Sequence, residues 1–186
     1  MKIEWIKYLF DHFDGTKLNF LEITQQAEDR VLEGQLASKS GNIYEIREGI
    51  PIILRKETQT IDSVESFAYE WDEFGFLYAK EGWLCDIVEP LVGGPDFFKG
   101  KVVVDAGAGS GAQSRWIAEA GASFVISIEL SNSIFGRHKQ TIKGYEEIIF
   151  PIQCDIAFPP ITLIPDVLYC MNVLQHTANP KQTFRK

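Results

Sequence analysis

The alternation of apolar and polar positions changes its period along the chain. Residues 3–13 place apolar side chains at helical spacing, which predicts a short amphipathic helix. Between residues 17 and 55, short apolar runs alternate with turn signals such as Gly41-Asn42, which predicts a unit of short strands. Residues 80–92 return to helical spacing and are followed by Gly93-Gly94-Pro95, so a second helix is expected there.

From Lys101 onward, apolar runs alternate with helical patterns, which is typical of a parallel α/β sheet. The predicted strands are 102–105, 124–129, 148–155 and 166–172, and the predicted helices are 111–120, 131–143 and one that starts at Asn179-Pro180. Proline is poorly tolerated inside sheets, so Pro151 predicts that the third of these strands lies at an edge.

Composition and charge restrict the class of protein. A net charge of −8 argues against nucleic acid as a partner, because such binding depends on Lys and Arg. No apolar run is long enough to span a membrane, and the charged N-terminus does not resemble a signal peptide. Cys85, Cys154 and Cys170 are far apart, which fits a cytoplasmic protein without a metal framework.

The stretch Val102-Val-Val-Asp-Ala-Gly-Ala-Gly-Ser-Gly-Ala112 predicts a buried strand, a glycine turn and the start of a helix. Glycines let backbone N–H groups approach a ligand closely, and a helix N-terminus adds partial positive charge. A cofactor site is therefore expected. The glycine spacing and the acid at Glu129 fit a dinucleotide. On the residues alone, a dinucleotide and the cofactor of the next paragraph both remain open.

The same stretch resembles the first motif of the Rossmann-like (class I) S-adenosylmethionine-dependent methyltransferases, of the type-11-like group. Acids at Glu129 and Asp155, each at a predicted strand end, and the segment 166–177 resemble three further motifs in order. The resemblance implies an α/β, mostly parallel sheet with strand order 3-2-1-4, and S-adenosylmethionine as the cofactor. Relatives continue to seven strands, so we expect a chain truncated after the fourth strand, a natural fragment, or a homodimer that covers this edge.

The resemblance also implies a set of cofactor-binding residues. Asp105 would accept from the methionyl ammonium, Glu129 from the ribose hydroxyls and Asp155 from the adenine amine. The full set is Asp105, Ala106, Gly107, Gly109, Gly111, Glu129, Leu130, Asp155, Ile156, Met171 and Asn172. No metal ligand is expected. His176 is a candidate general base, although a histidine in that loop also shapes pockets or caps helices.

The N-terminal region carries a second resemblance. Residues 34–54 resemble the end of small zinc-ribbon-like domains found with methyltransferases, but Ala37 and Ser40 replace the expected cysteines. This implies a degenerate ribbon in which apolar packing has replaced the metal; an unrelated small β unit is the alternative. The expected domains are a ribbon-like unit (1–56), an aromatic linker and helix (57–100), and the methyltransferase domain (101–186).

Within the linker region, the aromatic segment 66–78 is expected to dock as an interdomain seam or as a lid over the cofactor. The preferred function is methyl transfer to a small-molecule acceptor, with the acceptor itself unidentified. Two alternatives remain open, a nicotinamide-dependent oxidoreductase and a non-catalytic interaction module.

Overall fold

The computed structural model describes residues 1–54 and 62–185, whose strands form one sheet. The strands are β1 (Asn19–Ala27), β2 (Arg30–Ala37), β3 (Ile43–Arg47), β4 (Ile50–Ile53), β5 (Val102–Ala106), β6 (Phe124–Glu129), β7 (Ile149–Cys154) and β8 (Val167–Tyr169). Their order across the sheet is β1-β2-β3-β4-β7-β6-β5-β8.

The helices of the described residues are short and lie between the strands. The α-helices are α1 (Asp62–Phe74), α2 (Lys80–Gly82), α3 (Glu89–Val92), α4 (Ala112–Glu119), α5 (Arg137–Thr141) and α6 (Pro180–Thr183). Single turns of 3-10 helix cover Ile3–Tyr8, Leu77–Ala79, Pro95–Phe98, Asn132–Ile134 and Leu174–His176, and a π-helix, Trp83–Val88, joins α2 to α3.

The methyltransferase-like half of the sheet has the predicted topology. β7, β6, β5 and β8 pair in parallel, and this is the expected strand order 3-2-1-4. Val103 and Val125, at adjacent positions near the start of these strands, are fully buried, as expected for strands covered on both faces. The prediction of an α/β fold with a Rossmann-like sheet is therefore confirmed.

The N-terminal strands extend this same sheet. β1 to β4 form an antiparallel meander, and β4 then pairs in parallel with β7 through Ile52 with Gln153 and Ile53 with Cys154. The third predicted strand is thus inside the sheet, and its expected edge position is wrong. Pro151 is accommodated because it lies two residues before the pairing with β4 begins. The predicted division into domains stays a prediction, since the sheet runs across the first boundary.

Each face of the sheet carries its own apolar core. On one face, Trp5 packs against Phe124 and Phe150, with ring centroids 5.4 and 4.8 Å away, so the N-terminal 3-10 helix is held on the parallel strands. On the other face, Trp83 contacts Trp116 of α4 and lies beside the buried Val103. Aromatic burial on both faces fixes the sheet between these elements.

Hydrogen bonds to one buried carboxylate join two loops of the N-terminal unit. Asp11, fully buried, accepts from the Phe13 backbone N–H, the Asn42 amide and the Tyr44 hydroxyl at 2.7 to 3.0 Å. Tyr44 also packs in the apolar core with Leu9. The carboxylate of Asp11 therefore acts beside apolar packing in this unit, and the degenerate ribbon stays a prediction. The described residues contain no cluster of metal-binding side chains.

Some predicted helices differ in length from the observed ones. The N-terminal helix is only a 3-10 turn, and the helix expected over 131–143 is divided at Gly136 into a 3-10 turn and α5. The polar linker expected over 57–63 lies largely outside the described residues. In the described part of the chain, no helix is both long and apolar enough to cross a membrane.

Asp11→Ala should lower the free energy of unfolding by about 2–4 kcal/mol, because it leaves a buried tyrosine hydroxyl and an amide without their acceptor. Urea denaturation measures this loss. Tyr44→Phe removes one of the same bonds without orphaning a donor and should cost less than about 1.5 kcal/mol. Equal losses in the two variants would contradict the role given to the carboxylate.

Candidate functional site

The glycine turn follows β5 and is bonded to the end of β6. Gly107, Gly109 and Gly111 have φ of 87°, 52° and 78°, a region that side chains rarely adopt. The N–H groups of Gly107 and Ala108 both donate to the Ile128 carbonyl, at 2.9 and 2.8 Å. The turn is therefore held against the neighbouring strand, and α4 begins directly after it at Ala112.

Glu129 connects three parts of this site. It is buried at the end of β6, its Oε2 accepts the Gly109 N–H and its Oε1 accepts the Ser131 N–H, both at 2.8 Å. A carboxylate oxygen has two lone pairs, so each oxygen keeps acceptor capacity for a ligand hydroxyl. Sequence reasoning placed this acid at the strand end, and the structure brings it into contact with the glycine turn.

Asp105 lies at the end of β5 and is buried, with its Oδ2 accepting from the Ser114 hydroxyl at 2.6 Å. Burial is the main cause that raises the pKa of Asp105 to about 7, while the Ser114 bond lowers it and the nearby Glu129 charge raises it. The neighbouring Ala106 is also buried. The predicted ammonium acceptor is thus desolvated and titrates near neutral pH.

Two side chains lie directly on the glycines. A Cβ at Gly107 would lie 2.6 Å from Cγ1 of Val173, and one at Gly109 would lie 2.8 Å from the indole of Trp71. Trp71 belongs to α1, which is fixed nearby because the Arg137 guanidinium donates to the Asp72 carbonyl at 3.0 and 2.7 Å. Trp71 of the aromatic segment therefore lies over Gly109 of the glycine turn.

The end of β7 supplies the predicted adenine side of the site. Asp155 accepts the Ala157 N–H at 2.8 Å, which shapes the turn after the strand. Leu130 and Ile156 are both half-buried, and Gln153 donates to the Leu130 carbonyl at 3.1 Å. Gln153 thus holds the end of β6 against β7, a link that the sequence did not indicate.

The segment after β8 runs past the glycine turn. The Tyr169 hydroxyl donates to the Met171 sulfur at 3.2 Å, and Asn172 adopts a left-handed φ of 56° that turns the chain so that Val173 reaches Gly107. His176 is exposed and lies in a 3-10 turn, with its backbone N–H donating to the Val173 carbonyl. The structure places His176 at the surface of this segment and not among the buried acids.

Sequence reasoning missed three side chains that complete the turn: Ser114, Ser127 and His138. Ser114 lies nine residues after Asp105, in the helix that follows the glycines. This spacing was the one signal in the sequence that could have indicated their contact. Ser127 is buried in β6 between the apolar Ile126 and Ile128, and a buried serine there is itself unusual. The roles of the predicted cofactor-binding residues stay predictions.

The family described as Methyltransferase domain matches residues 104–186, the segment that contains the glycine turn and the strand ends. This confirms a methyltransferase domain there and S-adenosylmethionine as its cofactor. Neither open alternative, the nicotinamide enzyme or the non-catalytic module, is favoured by this match.

Two curated proteins are also similar in sequence to this chain. Protein arginine N-methyltransferase PRMT10 of Oryza sativa subsp. japonica is 35% identical over 78 residues, which cover 39% of this chain and 20% of the relative. Probable histone-arginine methyltransferase CARM1 of Oryza sativa subsp. indica is 30% identical over 151 residues, or 71% of this chain and 28% of the relative. The chain therefore spans about a fifth to about a quarter of the length of these relatives.

Solved structures give a weaker likeness. A putative S-adenosylmethionine-dependent methyltransferase from Listeria monocytogenes aligns with 24% identity and a TM-score of 0.45, covering 58% of this chain and 48% of that chain. Magnesium protoporphyrin IX methyltransferase from Synechocystis, solved with its cofactor, aligns with 21% identity and a TM-score of 0.43, covering 67% and 57%. The fold assignment rests on the observed strand order instead.

The prediction of a small-molecule acceptor is wrong. The curated relatives that match this chain are named as arginine methyltransferases of proteins and histones. No property of the sequence had specified the acceptor, and the acidic charge had been taken as compatible with either kind of acceptor. The predicted small-molecule partner is therefore withdrawn.

Gly107→Ala should cost more stability than Gly100→Ala, which has a similar positive φ of 73° but no atom within 4 Å of the added Cβ. Both variants carry backbone strain of about 1–2 kcal/mol, and only the first must also displace Val173. We expect a difference of at least about 1 kcal/mol in urea denaturation. Adding Val173→Ala should remove that difference, and equal losses in the two single variants would argue against close approach at Gly107.

The stability of the protein should fall relative to Asp105→Asn as the pH rises from 6 to 8. The folded pKa of Asp105, about 7, is above the ordinary value of 3.8, so the folded state binds more protons in this range. The relative loss is about 1 kcal/mol. His138, whose folded pKa is lowered by burial to about 4, contributes equally to both proteins. Parallel profiles in thermal or urea unfolding would exclude a titrating Asp105.

Proposed function

We propose that this chain forms the S-adenosylmethionine-binding part of a methyltransferase whose acceptor is an arginine side chain of a protein. The observation that carries the proposal is the contact of Glu129 with the glycine turn, at the strand end where the family motif lies. The acceptor class rests on the names of the two matching relatives.

The residues of the turn fit the functional groups of the cofactor. Glu129 keeps acceptor capacity for two ribose hydroxyls, and Asp105 supplies a carboxylate for the methionyl ammonium. The glycines adopt the positive φ values of the turn without side chains of their own, which lets Val173 and Trp71 lie against its backbone. Asp155 would accept from the adenine amine, with Leu130 and Ile156 packing on the ring.

Trp71 and Val173 would exclude water from the reacting centre. Both lie on the glycines, and α1 is anchored to Arg137 through Asp72. A water-excluded site strengthens the interactions of Asp105 and Glu129 with the cofactor. We therefore assign the aromatic segment, which includes Trp71, to a lid.

The cofactor supplies a methyl group on a sulfonium, an activated donor that needs alignment more than acid or base assistance. The chain's task is to hold the acceptor nitrogen in line with that methyl group. When a guanidinium nitrogen takes the methyl, it must release one proton, and His176 on the segment after β8 is the candidate that receives it. Its exposed position allows the proton to pass on to solvent.

Charge favours a basic acceptor segment. The chain carries a net charge of −8, and exposed acids at Glu70, Asp72 and Glu73 of α1 lie on the helix that covers Gly109. A field of this sign attracts an arginine-rich segment and raises its rate of association. The degenerate ribbon-like character of residues 1–56 remains part of the proposal, with Asp11 joining its two loops.

Titration calorimetry with S-adenosylmethionine, S-adenosylhomocysteine and NADH tests the cofactor. We expect both sulfur compounds to bind and NADH not to bind. Glu129→Gln should weaken binding at least about tenfold, because a charge-assisted bond contributes about 1.5–3 kcal/mol. Glu22→Gln on the distant strand β1 is the matched control and should leave the affinity unchanged. Binding of NADH alone would support the oxidoreductase, and binding of none would support the non-catalytic module.

The same preparations then test the acceptor. Radiolabelled methyl donor is incubated with an arginine- and glycine-rich peptide and with the same peptide in which lysine replaces every arginine. We expect label on the arginine peptide only, and less label with Glu129→Gln. Binding of the cofactor without label on the arginine peptide, or label on the lysine peptide, would refute an arginine acceptor for this chain.

A further inference from the structure

A series of contacts between buried polar side chains joins Asp105 to the Gly109 carbonyl of the glycine turn. The Asp105 Oδ2 contacts the Ser114 hydroxyl at 2.6 Å, Ser114 contacts the Ser127 hydroxyl at 2.7 Å, and Ser127 contacts His138 Nε2 at 3.0 Å. His138 Nδ1 in turn contacts the Gly109 carbonyl at 3.0 Å. We call these four side chains the Asp105–His138 chain. All four are buried.

The Asp105–His138 chain needs one more proton than its ordinary ionisation states supply. It contains four links, and each link requires one hydrogen. An ionised aspartate supplies none, the two serines supply one each, and a neutral imidazole supplies one. Three hydrogens cannot complete four links. At one link, two acceptor atoms would then face each other in the interior with no hydrogen bond between them.

The fourth proton has only two possible positions, the Asp105 carboxyl or His138 Nε2. Burial raises the pKa of Asp105 to about 7 and lowers the pKa of His138 to about 4, which favours the carboxyl at and below neutral pH. The titratable groups that face Asp105 are Glu129 on β6, Tyr169 on β8 and Cys170 after it. None of these is a cation, so none stabilises the ionised carboxylate.

With the fourth proton on Asp105, every link is made in one direction. The carboxyl donates to Ser114, Ser114 to Ser127, and Ser127 to His138 Nε2, so His138 carries its own hydrogen on Nδ1. That hydrogen is donated to the Gly109 carbonyl, which can only accept. Gly109 is then held at both ends of its backbone, since its N–H donates to Glu129.

Loss of the fourth proton reverses this direction. The ionised carboxylate attracts the Ser114 hydrogen, Ser114 then accepts from Ser127, and Ser127 accepts from His138 Nε2. Hydrogen bonds that all point toward the charge polarise one another and are favoured. The hydrogen of His138 therefore moves from Nδ1 to Nε2, and the Gly109 carbonyl loses its donor.

We propose that Ser114, Ser127 and His138 are positioning residues that carry one shared proton with Asp105, and that they couple the ionisation of Asp105 to the anchoring of the Gly109 carbonyl. The proton leaves from the carboxyl to solvent, and no other bond is made or broken. Together with the proposed function, this implies that an ammonium bound at Asp105 displaces the proton. Cofactor binding would then release a proton below neutral pH.

Nuclear magnetic resonance of the free protein tests the chain without any cofactor. In protein labelled with ¹⁵N-histidine and ¹³C-aspartate, we expect His138 to be the neutral Nδ1–H tautomer at pH 6 and the neutral Nε2–H tautomer above pH 8. The change should have the same midpoint as the Asp105 carboxyl, near 7. His138→Asn and Asp105→Asn assign the two signals. Either an imidazolium at pH 6–7 or a tautomer that stays constant while Asp105 titrates would overturn the proposal.

Ser127→Ala and Ser127→Thr form the matched pair. The alanine variant removes the middle of the chain, so two links remain and two hydrogens complete them. Asp105 should then titrate at lower pH, and His138 should keep its Nδ1 hydrogen throughout. The threonine variant restores the hydroxyl and should restore the coupled change. If the His138 tautomer still changes with the ionisation of Asp105 in Ser127→Ala, the proposal is also overturned. If either variant does not fold, the titration of the wild-type protein remains the test.

Calorimetry in two buffers of different ionisation enthalpy tests the consequence for the cofactor. About one proton should be released per bound S-adenosylmethionine at pH 6, and almost none at pH 8.5. Ser127→Ala should release fewer protons at pH 6. If the cofactor does not bind at any pH, the proposed function is contradicted, and the magnetic resonance experiment alone tests the Asp105–His138 chain. If the cofactor binds without releasing a proton, the proposal that its ammonium displaces the proton from Asp105 is contradicted.

Discussion

The backbone bonds between the glycine turn and the end of β6 determine the geometry of the rest of the site. Two N–H groups of the turn share the Ile128 carbonyl, and the next donates to Glu129. These bonds are possible only because β5 and β6 pair in parallel and end at the same level of the sheet. The cofactor-facing carboxylate is therefore placed by strand pairing, and the turn takes its shape from the neighbouring strand as much as from its own glycines.

The acids near the turn show how one sheet edge produces two different environments. Glu129 accepts two backbone N–H groups, whereas Asp105 accepts from the hydroxyl and the backbone of Ser114. Burial outweighs these bonds at Asp105, whose pKa rises to about 7. The two carboxylates at neighbouring strand ends thus differ in the segments that supply their donors.

The parallel half of the fold was predictable because its signals are local. β-branched runs followed by acids and glycines specified β5, β6 and β7 and their ends, and the motif order implied their arrangement. The parallel pairing of β4 with β7 was not predictable, since nothing in either strand specifies a partner so distant in the chain. The sequence left the aromatic segment between a seam and a lid, and it did not indicate the partners of His138, because helical spacing predicts a buried face but not the surface against which it packs.

The N-terminal unit shows the same limit. The ribbon-like origin of this unit stays a prediction, and composition did not indicate that the Asp11 carboxylate joins two of its loops. That contact depends on two loops meeting in space, and Asn42 and Tyr44 become partners of Asp11 only after β2 and β3 have paired.

The pairing of β4 with β7 also sets an order of events for a chain emerging from a ribosome. The meander of β1 to β4 forms from neighbouring segments, but Ile52 and Ile53 meet their partners about 100 residues later. At synthesis rates of about 5–20 residues per second, this apolar strand edge waits on the order of 5–20 s for β7. During that interval the unpaired edge of β4 can associate with other nascent chains, so chaperones that cover it would protect the chain until β7 emerges.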